Sequence, residues 1–99
     1  MRRRIMFKII KEVRVEKGRI YQIPKGTTNI GIRKDILRFV EPQDNCEPPL
    51  TIWKSRQNVR YLPCPSKARW CKIVECRHDP AGWKHSLQFL DEKKSVIIF

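Results

Sequence analysis

The chain has 99 residues, with 22 Lys and Arg against 10 Asp and Glu, a formal net charge of +12 and a sequence pI near 10.1. That length points to one small domain whose folding hides roughly 60–65% of the unfolded chain's surface, which excludes an enzyme built from separate cofactor and substrate lobes. A hydrophobic fraction of 40% supplies enough apolar area to offset chain entropy, so the 32% of charged residues does not imply disorder.

The charge is concentrated early. Residues 1–40 carry twelve basic and three acidic side chains, and residues 41–99 carry ten and seven. Arg2, Arg3 and Arg4 ahead of Ile5, Met6 and Phe7 resemble the start of a signal peptide, but Lys8, Lys11 and Glu12 interrupt the apolar run. No apolar run approaches the roughly 20 residues of a membrane span, so an intracellular protein is expected.

Ile5 to Val15 is rich in β-branched residues, and Val13 and Val15 alternate with Arg14 and Glu16 in the period of a half-buried strand. A turn at Lys17-Gly18 followed by Ile20 to Ile23 reads as a hairpin, which sets Val15 opposite Ile20 and Glu16 opposite Arg19. Ile36 to Val40 fits a strand or a short helix begun by Asp35. Pro42, Pro48 and Pro49 with Asp44-Asn45 make residues 41–50 an irregular loop.

Thr51 to Arg56 and Val59 to Leu62 read as extended, and Pro63 to Ser66 as a loop. Trp70 to His78 and Trp83 to Phe89 form a hairpin around Asp79-Pro80-Ala81-Gly82, where proline and glycine suit a tight turn. Trp83, His85, Leu87 and Phe89 alternate with Lys84, Ser86 and Gln88, although Trp83, Leu87 and Leu90 also fit a helix. Ser95 to Phe99 reads as a buried terminal strand. The expected fold is therefore α+β or mostly β: a single domain of residues 1–99, with a basic arm and N-terminal β-hairpin (1–40), a proline-rich loop (41–50) and a C-terminal antiparallel meander (51–99), with room for one short helix.

The candidate binding element is the basic cluster of Arg2, Arg3, Arg4, Lys8, Lys11, Arg14, Lys17, Arg19 and Lys25, which attracts phosphates through Coulomb energy and counterion release. Aromatic residues are interleaved with further charge at Trp53 with Lys54 and Arg56, at Arg60 with Tyr61 and at Arg69 with Trp70. Such rings stack on unpaired bases, or else form the core of a small β domain.

Cys46, Cys64, Cys71 and Cys76 allow two disulfides in three connectivities, or reduced buried thiols. The turn at 79–82 places Cys76 opposite His85 and His78 opposite Trp83 on one face, a set that suits zinc if Cys46, Cys64 or Cys71 supplies a fourth ligand. No standard zinc spacing accompanies it, and the Cys76/His85 pair lacks an oxyanion-hole pattern. Glu41, Asp44 and Glu47 share one loop rather than opposed rigid elements. The reading is no catalytic residue, no metal and no cofactor.

Gly18-Arg19-Ile20 through Pro24-Lys25, then Gly31-Ile32-Arg33-Lys34-Asp35 and Leu37, resembles the AbrB/SpoVT-type swapped-hairpin transcription regulators over residues 13–41. The resemblance implies dimers of interleaved hairpins that bind DNA, with Arg19, Lys25, Arg33 and Lys34 as contacts. The chain departs from that pattern where Gln22 sets Pro24 one place late and where the glycine before Asp35 is missing. In overall character the chain also resembles small basic proteins of filamentous viruses that infect hyperthermophilic archaea, which implies thermostability, tolerance of intracellular disulfides and a place in the host cytoplasm. The function expected is a non-enzymatic nucleic-acid-binding protein, with DNA as the ligand, held by phosphate contacts. The alternative is a structural module that docks an acidic protein partner or forms a homodimer through an exposed strand edge.

Overall fold

The computed structural model describes residues 6–43, 47–55 and 57–98. Within them the β-branched and alternating segments become eight strands: β1 (Phe7–Arg14), β2 (Ile20–Gln22), β3 (Asn29–Arg33), β4 (Ile36–Pro42), β5 (Trp53–Lys54), β6 (Arg60–Pro63), β7 (Trp70–Asp79) and β8 (Gly82–Leu90). The described residues contain no helix, hence none long and apolar enough to cross a membrane. Both segments that also fitted a helix are strands, β4 and β8.

Two antiparallel sheets result, one in the order β1-β4-β3-β6-β5 and one in the order β2-β7-β8. The β7–β8 hairpin has the register expected from its turn, with Asp79 opposite Gly82, His78 opposite Trp83 and Cys76 opposite His85. An irregularity between Ile73 and Glu75 inserts Val74 as an extra residue. This bulge resets the alternation, so Cys71, Ile73, Cys76 and His78 all lie on the same face.

The N-terminal reversal is also where the sequence places it, but its two strands part company. Arg19 N donates to Glu16 O at 3.2 Å around Gly18, whose φ of +82° suits the third position of a type II turn. The Glu16–Arg19 ion pair forms at 3.5 Å. Val15 does not pair with Ile20, however. β1 joins β4, and β2 joins β7, so the turn is a corner between sheets. Gly18 N donates to Ile73 O and Ile73 N to Arg19 O, which draws the chain onto β7. Tyr21 pins this corner: its hydroxyl donates to Arg14 O at 2.9 Å and accepts from Glu16 N at 3.0 Å.

The main core is the seam between the sheets. Ile30, Ile32, Leu37 and Phe39 of β3 and β4 meet Cys71, Ile73 and Phe89 of β7 and β8. The other face of the larger sheet carries a smaller cluster of Val40, Val59 and Tyr61 with Phe7 and Trp53. Phe7 lies 4.3 Å from Tyr61 and 5.8 Å from Trp53 between ring centroids, so the two edge strands β1 and β5 approach each other across that face and the sheet is strongly curled.

The terminal segment is less buried than its apolar sequence suggests. Among its described residues Ile97 alone packs against the core, while Val96 and Ile98 are exposed, because the strand is reduced to one bridge between Leu90 and Val96. The proline loop is tethered by the buried Asn29, whose Nδ2 donates to Pro49 O at 3.1 Å. The radius of gyration, 13.4 Å, matches the roughly 13 Å of one compact domain of this length.

Gly31 shows how tightly the curled face is filled, since a Cβ there stands 2.7 Å from Tyr61 Cε1 and 3.1 Å from Val59 Cγ1. Gly31→Ala is therefore expected to destabilise the protein by about 1–3 kcal/mol through overpacking. Urea unfolding monitored by circular dichroism checks this, and an unchanged midpoint contradicts it.

Candidate nucleic-acid interface

The apolar seam does not extend to the end of the sheets. Past Ile73 and Leu87 the inward residues of the smaller sheet are Cys76, His85, His78 and Trp83. Opposite them the larger sheet presents the β3–β4 turn and the cross-strand pair Lys54–Arg60, on the same face as Ile32. An open cleft of about 780 Å³ results, lined by Arg33, Lys34, Lys54, Arg60, Trp83 and His85 with Glu75, Asn58 and Lys84.

Lys54 and Arg60 are like charges directly opposite each other, an arrangement that destabilises a sheet unless something lies between them. Neither has an ion pair among the described residues, and the same holds for Arg33 and Lys34. The second like-charge pair, Arg77 opposite Lys84, is compensated. Arg77 pairs with Glu75 and with Asp79 at 4.0 Å, and Lys84 lies 3.8 Å from Asp79. Glu75, the one carboxylate lining the cleft, is thereby engaged by Arg77.

One wall is held by the carbonyl of Lys34. His85 Nε2 lies 2.6 Å from it, and the Cys76 thiol donates to it at 3.5 Å. A carbonyl oxygen only accepts, so this contact has His85 donating through Nε2. Lys34 itself has φ +51°, a left-handed conformation unusual for a residue with a Cβ. The aromatic row continues outward from His85: Trp83 stacks on it at 5.9 Å with a 5° interplanar angle, and His78 lies 5.0 Å from Trp83, tilted by 39°.

The candidate residues read from the sequence divide into groups. Arg2, Arg3 and Arg4 lie outside the described residues. Lys8, Arg14 and Arg19 each have an acidic neighbour, at 4.0 Å from Glu41, 3.0 Å from Asp35 and 3.5 Å from Glu16. Arg19 also lies over the Tyr21 ring at 5.3 Å. Lys11, Lys17 and Lys25 are exposed on an edge strand and two turns. Arg33 and Lys34 line the cleft.

Among the interleaved aromatics, Tyr61 and Trp53 belong to the curled-face cluster, and Lys94 covers the Trp70 ring at 4.8 Å. Lys54 and Arg60 carried a signal in the sequence as charges beside aromatic residues. Their convergence with Trp83 and His85 had none, because it joins two hairpins separated in the chain.

Cys64, Cys71 and Cys76 are free thiols, and Cys46 lies outside the described residues. No group of three metal-ligating side chains occurs among the described residues. Burial, with a smaller contribution from Cys64, pushes the Cys71 thiol up to about 12. Burial, offset in part by Arg69, pushes Cys64 up to about 11. The Cys76 thiol is raised too, by burial and then by Asp35, the opposite of what activates a nucleophile. No protein-family model matches the chain, and no curated protein or solved structure matches it significantly.

Two outcomes follow. Lys34→Gly relieves the left-handed backbone and is expected to stabilise the fold by about 1 kcal/mol, read from the denaturation midpoint; a loss of stability contradicts this. The folded thiols keep protons that the unfolded chain releases near the ordinary thiol pKa, so their contribution is complete below that value and is lost as pH rises through about 11 to 12. Unfolding free energy is therefore expected to fall more steeply above pH 9 in the native protein than in Cys71→Ala, whatever the constant offset from the lost side chain.

Proposed function

We propose that the protein binds nucleic acid, chiefly through phosphates, and that the basic cleft is the centre of the interface. The observation that carries this reading is the Lys54–Arg60 pair, uncompensated among the described residues, with Arg33 and Lys34 beside it, in a cleft whose one described lining carboxylate is already engaged by Arg77. A polyanion relieves the repulsion and releases condensed counterions on binding. The exposed lysines at 11, 17 and 25 extend the attraction beyond the cleft, and the high net charge, to which the arginines at 2, 3 and 4 contribute, steers the encounter. DNA is the ligand this reading favours.

Replacing Lys54 and Arg60 together by Ala is expected to weaken binding and to reduce the slope of log K against log salt by roughly 1.5, since each lost phosphate contact removes about 0.7–0.9. Replacing Arg2, Arg3 and Arg4 by Ala weakens binding to all sequences alike. Salt-titrated fluorescence anisotropy with labelled oligonucleotides measures both. Salt-insensitive binding, or an unchanged slope in the cleft variant, overturns the proposal.

A further inference from the structure

Resting on the nucleic-acid reading of the cleft, we infer that its occupant is a single strand, with a base stacked on the Trp83 indole and the flanking phosphates held by Lys54 and Arg60. The two walls of the cleft differ in chemistry, and the difference selects the ligand. One wall carries the stacked rings of Trp83 and His85, with Lys84 and Glu75 beside them. The other is cationic, from Arg33, Lys34, Lys54 and Arg60.

A duplex turns its phosphates outward and hides its base faces in the stack, so it engages the cations and leaves the aromatic wall without a partner. An unpaired strand presents a base face on one side and a phosphate on the other, which fits both walls at once. The volume of about 780 Å³ suits one or two nucleotides and lies within the range of about 300–1,000 Å³ typical of small-ligand sites.

The exposure of Trp83 adds to this. Leu87 and Phe89 alternate with it on the same face of β8 and are half-buried and buried against the larger sheet, whereas Trp83 remains 37% exposed. A large ring held in register at the mouth of the seam, stacked on His85 and still more than one-third exposed, is a platform rather than a core residue. His85 positions the platform relative to the cations, because the ring that stacks on Trp83 also binds the Lys34 carbonyl.

The test compares fluorescence anisotropy of labelled 12-residue oligo(dT), oligo(rU) and a matched 12-base-pair DNA duplex at one salt concentration. The proteins are the native chain, Trp83→Ala, Trp83→Phe and the Lys54/Arg60 double alanine variant, each first shown to be folded by circular dichroism. The native protein is expected to bind single strands at least tenfold more tightly than the duplex. Trp83→Ala should weaken single-strand binding by about 5- to 100-fold and leave duplex binding unchanged, and Trp83→Phe should recover most of the loss.

In a Trp53→Phe/Trp70→Phe background, the remaining Trp83 fluorescence should be quenched by oligo(dT), which reports stacking even if Trp83→Ala fails to fold. DNA and RNA arms that agree mark recognition of the base face; a preference for one adds a sugar contact. Duplex binding as tight as single-strand binding, or no quenching of Trp83, overturns the single-strand inference while the salt-dependent Lys54/Arg60 effect still supports nucleic-acid binding. Loss of that effect as well overturns both.

Discussion

The structure depends on one apolar seam, in which Ile30, Ile32, Leu37 and Phe39 of the larger sheet close against Cys71, Ile73 and Phe89 of the smaller. A domain of this size has little other apolar surface to bury, so most of its hydrophobic stabilisation comes from this contact. Several local features make sense only as means of filling it. The corner at Gly18 carries the chain from one sheet to the other, and Tyr21 satisfies the backbone groups that the crossing leaves unpaired. The bulge at Val74 matters most for the site. Without the extra residue, the alternation would turn Glu75 and Arg77 toward the larger sheet and Cys76 and His78 toward solvent.

The cleft exists because the seam runs out. Lys54 and Arg60 follow Ile32 across the face of the larger sheet, and closing the smaller sheet over them would strip two unpaired cations of water. The sheets therefore splay, and the last tie between them is polar: the Lys34 carbonyl held by His85 and Cys76. That tie fixes a strained turn residue at the rim, with the aromatic row on one side and the cations on the other. Strain held by neighbouring donors is a common feature of binding sites, where position is worth more than local stability. The raised Cys76 pKa fits the same role, since the thiol must keep its proton to donate it.

Local chemistry made part of this legible and left the rest dark. Next to the 79–82 turn the pairing could be read, Cys76 with His85 and His78 with Trp83, from proline, glycine and the alternation from Trp83 to Phe89, but the bulge at Val74 that shifts the register farther along had no signal. The reversal at Lys17-Gly18 and the Glu16–Arg19 pair were readable for the same reason. What those residues do not encode is the partner of each strand. β1 and β2 flank a good turn and still pair elsewhere, because Val13 gains more from Leu37, and Tyr21 from Cys71, than Val15 gains from Ile20 in an isolated hairpin. The terminal segment misled in the opposite direction, since apolar composition marks what burial favours, not whether a neighbour is there to cover it. The cleft was least legible, as its cations come from β3, the β3–β4 turn, β5, β6 and β8 and its aromatics from β8.

The same contrast revises the meaning of the net charge. Cations are densest in the first forty residues, but there Glu12, Glu16 and Asp35, with Glu41 just beyond, sit beside Arg38, Arg19, Arg14 and Lys8. Each such surface pair contributes little to stability, roughly 0–1 kcal/mol, yet it cancels much of the local field. At Lys54 and Arg60 no described carboxylate does so, although the chain compensates the comparable Arg77–Lys84 pair with both Glu75 and Asp79. The potential that a polyanion meets is set by where carboxylates are missing more than by where cations are numerous. The proposed cleft draws Arg33 and Lys34 from the charge-dense segment and Lys54 and Arg60 from outside it, so density of charge along the sequence marks only part of that cleft.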